Sequence, residues 1–184
     1  MPVLFLDFDR TLFDTEQFYE WLGEDHFARI MDLESGKLTP PDYRKWLYPD
    51  TLPFLNEAKK THQLVLLSYA MNTLLQQHKI EGSGIASFFS HIIITQREKG
   101  TEAKAYLAHK GDPPGPHVFV DDVPMNFSEI KETNLELVCI RIERIPLAWE
   151  KMAGVKHEPD HVVHDLDEAL QILRKLSLEK HREK

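Results

Sequence analysis

Residues 3–15 read VLFLDFDRTLFDT, and four apolar side chains, Val3 to Leu6, run without alternation into an Asp-Phe-Asp triplet. A strand that is apolar at every position must be covered on both faces, which is the habit of parallel sheets flanked by helices. In open sheets of that kind the ligand crevice lies beyond the carboxyl ends of the strands, so Asp7 points into it. If the chain stays extended for two more residues, the period of two puts Asp7 and Asp9 on one side and Phe8 on the other. Neighbouring carboxylates repel, and burying both as anions without a partner is very costly. A hard divalent cation with oxygen ligands is the natural partner, and the Asp121–Asp122 pair closing HVFVDD (117–122) is suited to complete its ligand set.

The rest of the chain repeats the first run. LVLLS (64–68), HIIIT (91–95), HVFVDD (117–122), LVCIRI (137–142) and HVVH (161–164) read as strands. Between them lie DTLPFLNEAKK, TLLQQHK, GTEAKAYLAHK, PMNFSEIKET and DLDEALQILRKLSLEK, which carry helical periodicity. Apolar strands alternating with helices predict an α/β fold, a doubly wound parallel sheet covered on both faces. The last helix has a plausible capping box in Asp165 and Glu168, and its tail EKHREK (179–184) reads as a solvated end.

Residues 15–50 break the alternation: they hold no strand-like run and read as two or three short helices, one of them announced by the Thr-Pro start of TPPDYRKWLY. This insert and its flanks are rich in aromatics, among them Phe13, Phe18, Tyr19, Trp21, Phe27, Tyr43, Trp46, Tyr48 and Phe54. Either a small helical subdomain is packing its own core, or a lid is presenting rings to a substrate.

Composition bounds the function. At 184 residues, the chain is sized for one domain, here with core 1–14 and 51–184 and the helical insert 15–50 between them. Cys139 is the single cysteine and sits in an apolar run, so neither a disulfide framework nor a cysteine metal cluster is expected. No apolar run approaches the roughly 18 residues of a membrane span, and the first strand starts too early for a signal peptide; the cytoplasm is the expected compartment. Thirty acidic residues against 22 basic ones give a net charge of −8, which opposes binding to nucleic acid or anionic membranes. Small anionic substrates then need local cations or a metal.

The ordered motifs resemble those of the haloacid dehalogenase (HAD) superfamily of aspartate-nucleophile phosphohydrolases along almost the whole chain. An apolar strand followed by D-x-D-x-T-L is matched by Asp7, Asp9, Thr11 and Leu12; a strand ending in Ser or Thr by Ser68; a helix-start lysine by Lys99; and an acidic pair after a strand by Asp121 and Asp122. The resemblance implies a Rossmann-like HAD fold with a small C1-type helical cap and a Mg²⁺-dependent phosphatase acting on a small phosphorylated substrate, with oligomeric state open. It implies Asp7 as nucleophile, forming an aspartyl-phosphate, and Asp9 as general acid and base with a pKa raised relative to that of Asp7. Ser68, Lys99 and Thr11 become phosphate-binding groups, and Asp7, Asp9, Asp121 and Asp122 the Mg²⁺ ligands. The acid at position 9 separates phosphatases from the dehalogenase branch.

Several positions carry alternatives. Lys104 competes with Lys99, which is preferred because it lies at the loop-to-helix junction nearest the strand end. Arg10 departs from the small residue common at that place and either caps the loop or touches substrate. Asn126 either assists the metal site or serves as a cap. HEPDH (157–161) spells the H-E-x-x-H zinc string, but Pro159 would break the helix that chemistry requires, so it reads as a turn. A phospho-receiver signalling domain uses similar groups, but there the lysine comes last; a HAD-fold binding protein without turnover is the remaining alternative.

Overall fold

The computed structural model describes residues 1–111, 113–145 and 155–182, the last four of these by backbone alone. Its six strands are β1 Val3–Leu6, β2 Gln63–Tyr69, β3 His91–Thr95, β4 His117–Asp121, β5 Leu137–Ile142 and β6 His161–Val163. They form one sheet in the order β3-β2-β1-β4-β5-β6, and every neighbouring pair is parallel. Helices α1 Thr15–Leu22 and α2 His26–Glu34 precede α3 Thr51–Ala58, α4 Thr73–Gly82, α5 Lys99–His109, α6 Pro124–Glu132 and α7 Leu166–Arg182.

Strand alternation divides the core in two. Val3, Phe5, Val65, Leu67 and Phe119 face α5 and α6, where they meet Ala103, Leu107, Phe127 and Ile130. Leu4, Leu6, Leu64, Leu66, Val118 and Val120 face the other way, onto Leu55 and Ala58 of α3, Leu75 and Ile80 of α4, and Ala169 and Leu173 of α7. Both sides of β1 are therefore dry, which is why its sequence is apolar throughout; each such Leu, Val or Phe contributes about 1.5–3 kcal/mol on burial.

This order places the switch point beside β1. The chain leaves β1 toward β2 on one side and resumes with β4 on the other, so a crevice opens at the carboxyl ends of β1 and β4. The Asp7 amide donates to the Val120 carbonyl at 3.0 Å, fixing the two strand tips side by side.

Residues 15–50 hold α1, α2 and one 3-10 turn at Tyr43–Trp46, where Asp42 caps the Arg44 amide at 3.1 Å. The aromatics of this region fall into a buried set and an exposed set. Phe13, Phe18, Tyr43, Trp46 and Phe54 are buried, and Phe18 meets Trp46 edge-on at 5.0 Å between ring centres. Tyr19 and Phe27 are 43% and 77% exposed and belong to a surface instead.

Arg144 ties the ends of the insert to the core. It pairs with Asp50 through Nη1 (3.0 Å) and Nη2 (2.8 Å) and donates twice to the Thr11 carbonyl, while Asp50 also caps the Leu166 amide at 2.9 Å. At the start of α7, Asp165 accepts from the Glu168 amide at 2.8 Å, as a capping box requires; Glu168 reaches back to His164 rather than to Asp165. His157 to Asp160 stand outside regular structure, so the zinc string has no helix. The side chains of EKHREK lie outside the described residues. No helix of the described residues is long and apolar enough to cross a membrane.

Candidate active site

Three carboxylates and an ammonium converge at the crevice. Lys99, the first residue of α5, places Nζ 2.5 Å from Asp7 Oδ1 and 2.7 Å from Asp121 Oδ2, and all three side chains are almost fully buried. Asp121 Oδ1 accepts from the Val123 amide and from Asn126 Nδ2, each at 2.8 Å. Asp7, Asp121 and Asp122 each offer an oxygen within 4.8 Å of the others. Lys104, by contrast, donates to the Thr133 carbonyl on the surface, so Lys99 is the lysine of the crevice. Arg10 pairs with Glu16 at 2.7 Å, and its φ of 57° turns the loop after β1.

No protein-family model and no curated protein matches the sequence. Solved structures do match: a haloacid dehalogenase-like hydrolase from Burkholderia xenovorans superposes with a TM-score of 0.75 at 18% identity, over 96% of this chain and 98% of that one. A HAD phosphatase from Thermococcus onnurineus gives 0.64 at 17%, over 94% and 98%. An L-2-haloacid dehalogenase gives 0.64 at 15%, over 95% and 99%. The chain has the haloacid dehalogenase fold.

Within this HAD fold, Asp9 departs from expectation. Asp7 and Asp9 both border the crevice, but their carboxylates have different partners. Asp9 Oδ1 accepts from Thr15 Oγ1 at 2.6 Å and pairs with Lys79 Nζ, and Oδ2 accepts from Gln76 Nε2 at 2.6 Å. Its carboxylate is thus spent on α1 and α4 and is absent from the three-carboxylate group. The physical reason is that β1 ends at Leu6 and the chain coils at once: the Leu12 and Phe13 amides both donate to the Phe8 carbonyl.

The proton affinities follow from these partners. Burial pushes the Asp7 carboxyl up to about 7, with Asp121 and Asp9 adding to the rise and Lys99 opposing it. Burial beside Asp121 and Asp7 likewise pushes Asp122 up to about 8. Burial alone would raise Asp9 too, but the Lys79 charge and the hydrogen bonds from Lys79, Thr15 and Gln76 outweigh it, and its pKa is lowered. Among the protein groups alone Asp7 therefore holds its proton more tightly than Asp9, whereas the order that the resemblance implies belongs to a site in which a cation keeps Asp7 ionised. Burial alone would lower the Lys99 ammonium; Asp121 and Asp7 raise it instead.

The cluster suits a hard divalent cation. Lys99 pairs with two of the three carboxylates, Asp7 and Asp121, while Asp122 Oδ2 is buried with no hydrogen-bond partner. An oxygen-only donor set with excess negative charge matches Mg²⁺ in kind, and a cation held there would oppose the upward shifts of Asp7 and Asp122.

Two predicted phosphate groups stand further back. Thr11, fully buried, donates to Asp7 Oδ2 at 3.4 Å, so its hydroxyl is turned to the carboxylate. Ser68 Oγ, also fully buried, accepts from Gln76 at 2.8 Å and sits behind the crevice wall. Lys79 and Gln76 escaped the sequence reading: both are polar residues of a short helix, and only their burial (4% and 3% exposed) marks them as partners of Asp9. A cleft of about 770 Å³ opens above the cluster, floored by Asp7, Asp9, Lys99 and Asp122.

Proposed function

We propose that this protein is a Mg²⁺-dependent phosphatase that cleaves a small phosphomonoester through an aspartyl-phosphate on Asp7. The observation that carries the reading is Lys99 held between Asp7 and Asp121 on the floor of an open cleft, with a second acid, Asp9, on the same border. A phosphoryl group needs its charge masked, a nucleophile in line and a proton for the leaving oxygen. Asp7, Asp121 and Asp122 would hold the Mg²⁺, which would mask phosphate charge and keep Asp7 ionised.

Lys99 supplies fixed positive charge where the phosphate oxygens sit, and Thr11 holds one oxygen of Asp7 so that the other attacks phosphorus. As the Asp7 O–P bond forms, the P–O bond to the leaving group breaks and Asp9 delivers a proton to the departing oxygen. Water then attacks the phosphoryl group, Asp9 takes its proton, and Asp7 and phosphate are released. The three donors around Asp9 favour its ionised form, which suits the second step; an arriving phosphate adds negative charge beside Asp9 and raises its proton affinity for the first. Ser68 retains its own proton for donation toward the phosphate region.

A phospho-receiver has strand order 2-1-3-4-5, whereas β1 here lies between β2 and β4 in a sheet of order 3-2-1-4-5-6. The net charge of −8 speaks against nucleic-acid substrates. Hydrolysis of 4-nitrophenyl phosphate with Mg²⁺, abolished by a chelator and restored by Mg²⁺, is the expected result; inactivity on this and a panel of phosphorylated metabolites would leave the binding-protein alternative.

A further inference from the structure

The cleft is far larger than a phosphate group and its upper walls are apolar. Phe27 and Met31 of α2 form one wall and are 77% and 67% exposed; Tyr69 and Met71, at and after the end of β2, form the other and are 48% and 75% exposed. Large apolar side chains gathered around the mouth of a polar site, rather than scattered singly, mark a place where an apolar partner is taken up. Tyr19 and His26 continue the wall of α2 as an edge-on pair at 5.9 Å.

Polar recognition is sparse on these walls. Asn72 and Glu34, which face each other across the cleft, are hydrogen-bonded to one another, and the Tyr69 hydroxyl donates to Met71 Sδ at 3.2 Å. The described cations bordering the cleft are each engaged: Arg10 with Glu16, Lys79 with Asp9, Lys99 with Asp7 and Asp121. Among the described residues, a second phosphate or carboxylate on the substrate would meet Glu34 and no uncommitted ammonium, and a polyol would find few directed donors.

We infer that the cleft takes a phosphomonoester whose leaving group is aromatic or otherwise apolar and uncharged, held between Phe27 and Met31 on one side and Tyr69 and Met71 on the other. This rests on the phosphatase reading for the position of the phosphate. Burying one aromatic ring between these walls is worth tenfold or more in affinity.

Phosphonates test the subsite apart from turnover, because their P–C bond is not hydrolysed. Calorimetric titration of the full-length protein with Mg²⁺ is expected to show 2-naphthylmethylphosphonate binding at least about tenfold more tightly than methylphosphonate. The variants Phe27→Ser and Met71→Ser, both at exposed positions, are expected to narrow that ratio at least about threefold. Equal affinity of the two phosphonates, or a ratio that neither variant changes, overturns the subsite. Turnover of 4-nitrophenyl phosphate and of the panel of phosphorylated metabolites is scored separately: turnover without the ratio defeats the subsite alone, and the ratio without any turnover upholds the subsite while defeating the phosphatase reading.

Discussion

Lys79 and Asp9, 70 residues apart in the chain, form an ion pair on the wall of the cleft, with Lys79 Nζ also 5.0–5.6 Å from the centres of the Phe8, Phe13 and Phe18 rings. Around this ammonium, Asp9 and the faces of the three phenyl rings together take the place of water. The pair therefore fixes where the Asp9 carboxylate stands relative to Asp7.

Replacing Lys79 by Met leaves Asp9 with two neutral donors and should cost about 2 kcal/mol of stability, measured as a lower urea midpoint. It should also reduce kcat on an alkyl phosphate by a larger factor than kcat on 4-nitrophenyl phosphate, because only the poor leaving group depends on a well-placed proton donor. Equal losses on both substrates would show that Lys79 serves the fold alone.

Arg144 and Asp50 predict a second effect. Their side chains are 9% and 14% exposed, and the guanidinium also holds the Thr11 carbonyl in the loop that carries Asp9. Arg144→Ala should cost about 3 kcal/mol in chemical denaturation, and Arg144→Lys should recover little of it, since an ammonium cannot reproduce the two-pronged pairing. Asp50→Ala in the Arg144→Ala background should then add less than it does alone.

Gly100 lies where α5 crosses α6. A methyl group there would stand 2.5 Å from the Glu129 carbonyl oxygen, so the helices must separate. Gly100→Ala is expected to lose about 1–3 kcal/mol and to weaken turnover by shifting the adjacent Lys99, whose amide is anchored on Glu129 Oε2 at 3.0 Å. An unchanged denaturation midpoint would contradict the tight crossing.

Cys139, buried against α6, has its thiol pushed up to about 12 by burial. Its reactive thiolate is therefore scarce at pH 8, where an ordinary cysteine is partly ionised. Iodoacetamide at pH 8 should leave the folded protein unmodified and label it fully in denaturant; rapid labelling of the folded form would contradict the packing of β5.

The sheet was legible because burial on both faces leaves continuous apolar runs, and β1, β3, β4 and β5 fall where VLFL, HIIIT, HVFVD and LVCIRI lie. The convergence of Asp7, Lys99, Asp121 and Asp122 was legible because each stands at a strand end or helix start that a parallel sheet turns toward one edge. The surroundings of Asp9 were not. An extended continuation of β1 would align Asp9 with Asp7, whereas Arg10 adopts a left-handed conformation and the chain coils. Gln76 and Lys79 look like solvent-facing residues in TLLQQHK, and the pairing of Asp50 with Arg144 spans 94 residues with no local pattern to announce it.

The central claim is covalent capture of phosphate by Asp7. Asp9→Asn protein is mixed with 4-nitrophenyl phosphate and Mg²⁺, quenched in acid and mapped by mass spectrometry, since loss of the base should let the acyl-phosphate accumulate. The mass of one phosphoryl group on the peptide bearing Asp7, absent when Asp7 is also replaced by Asn, is the predicted result. Phosphate on another residue, or undiminished turnover by the Asp7→Asn single variant, would contradict it.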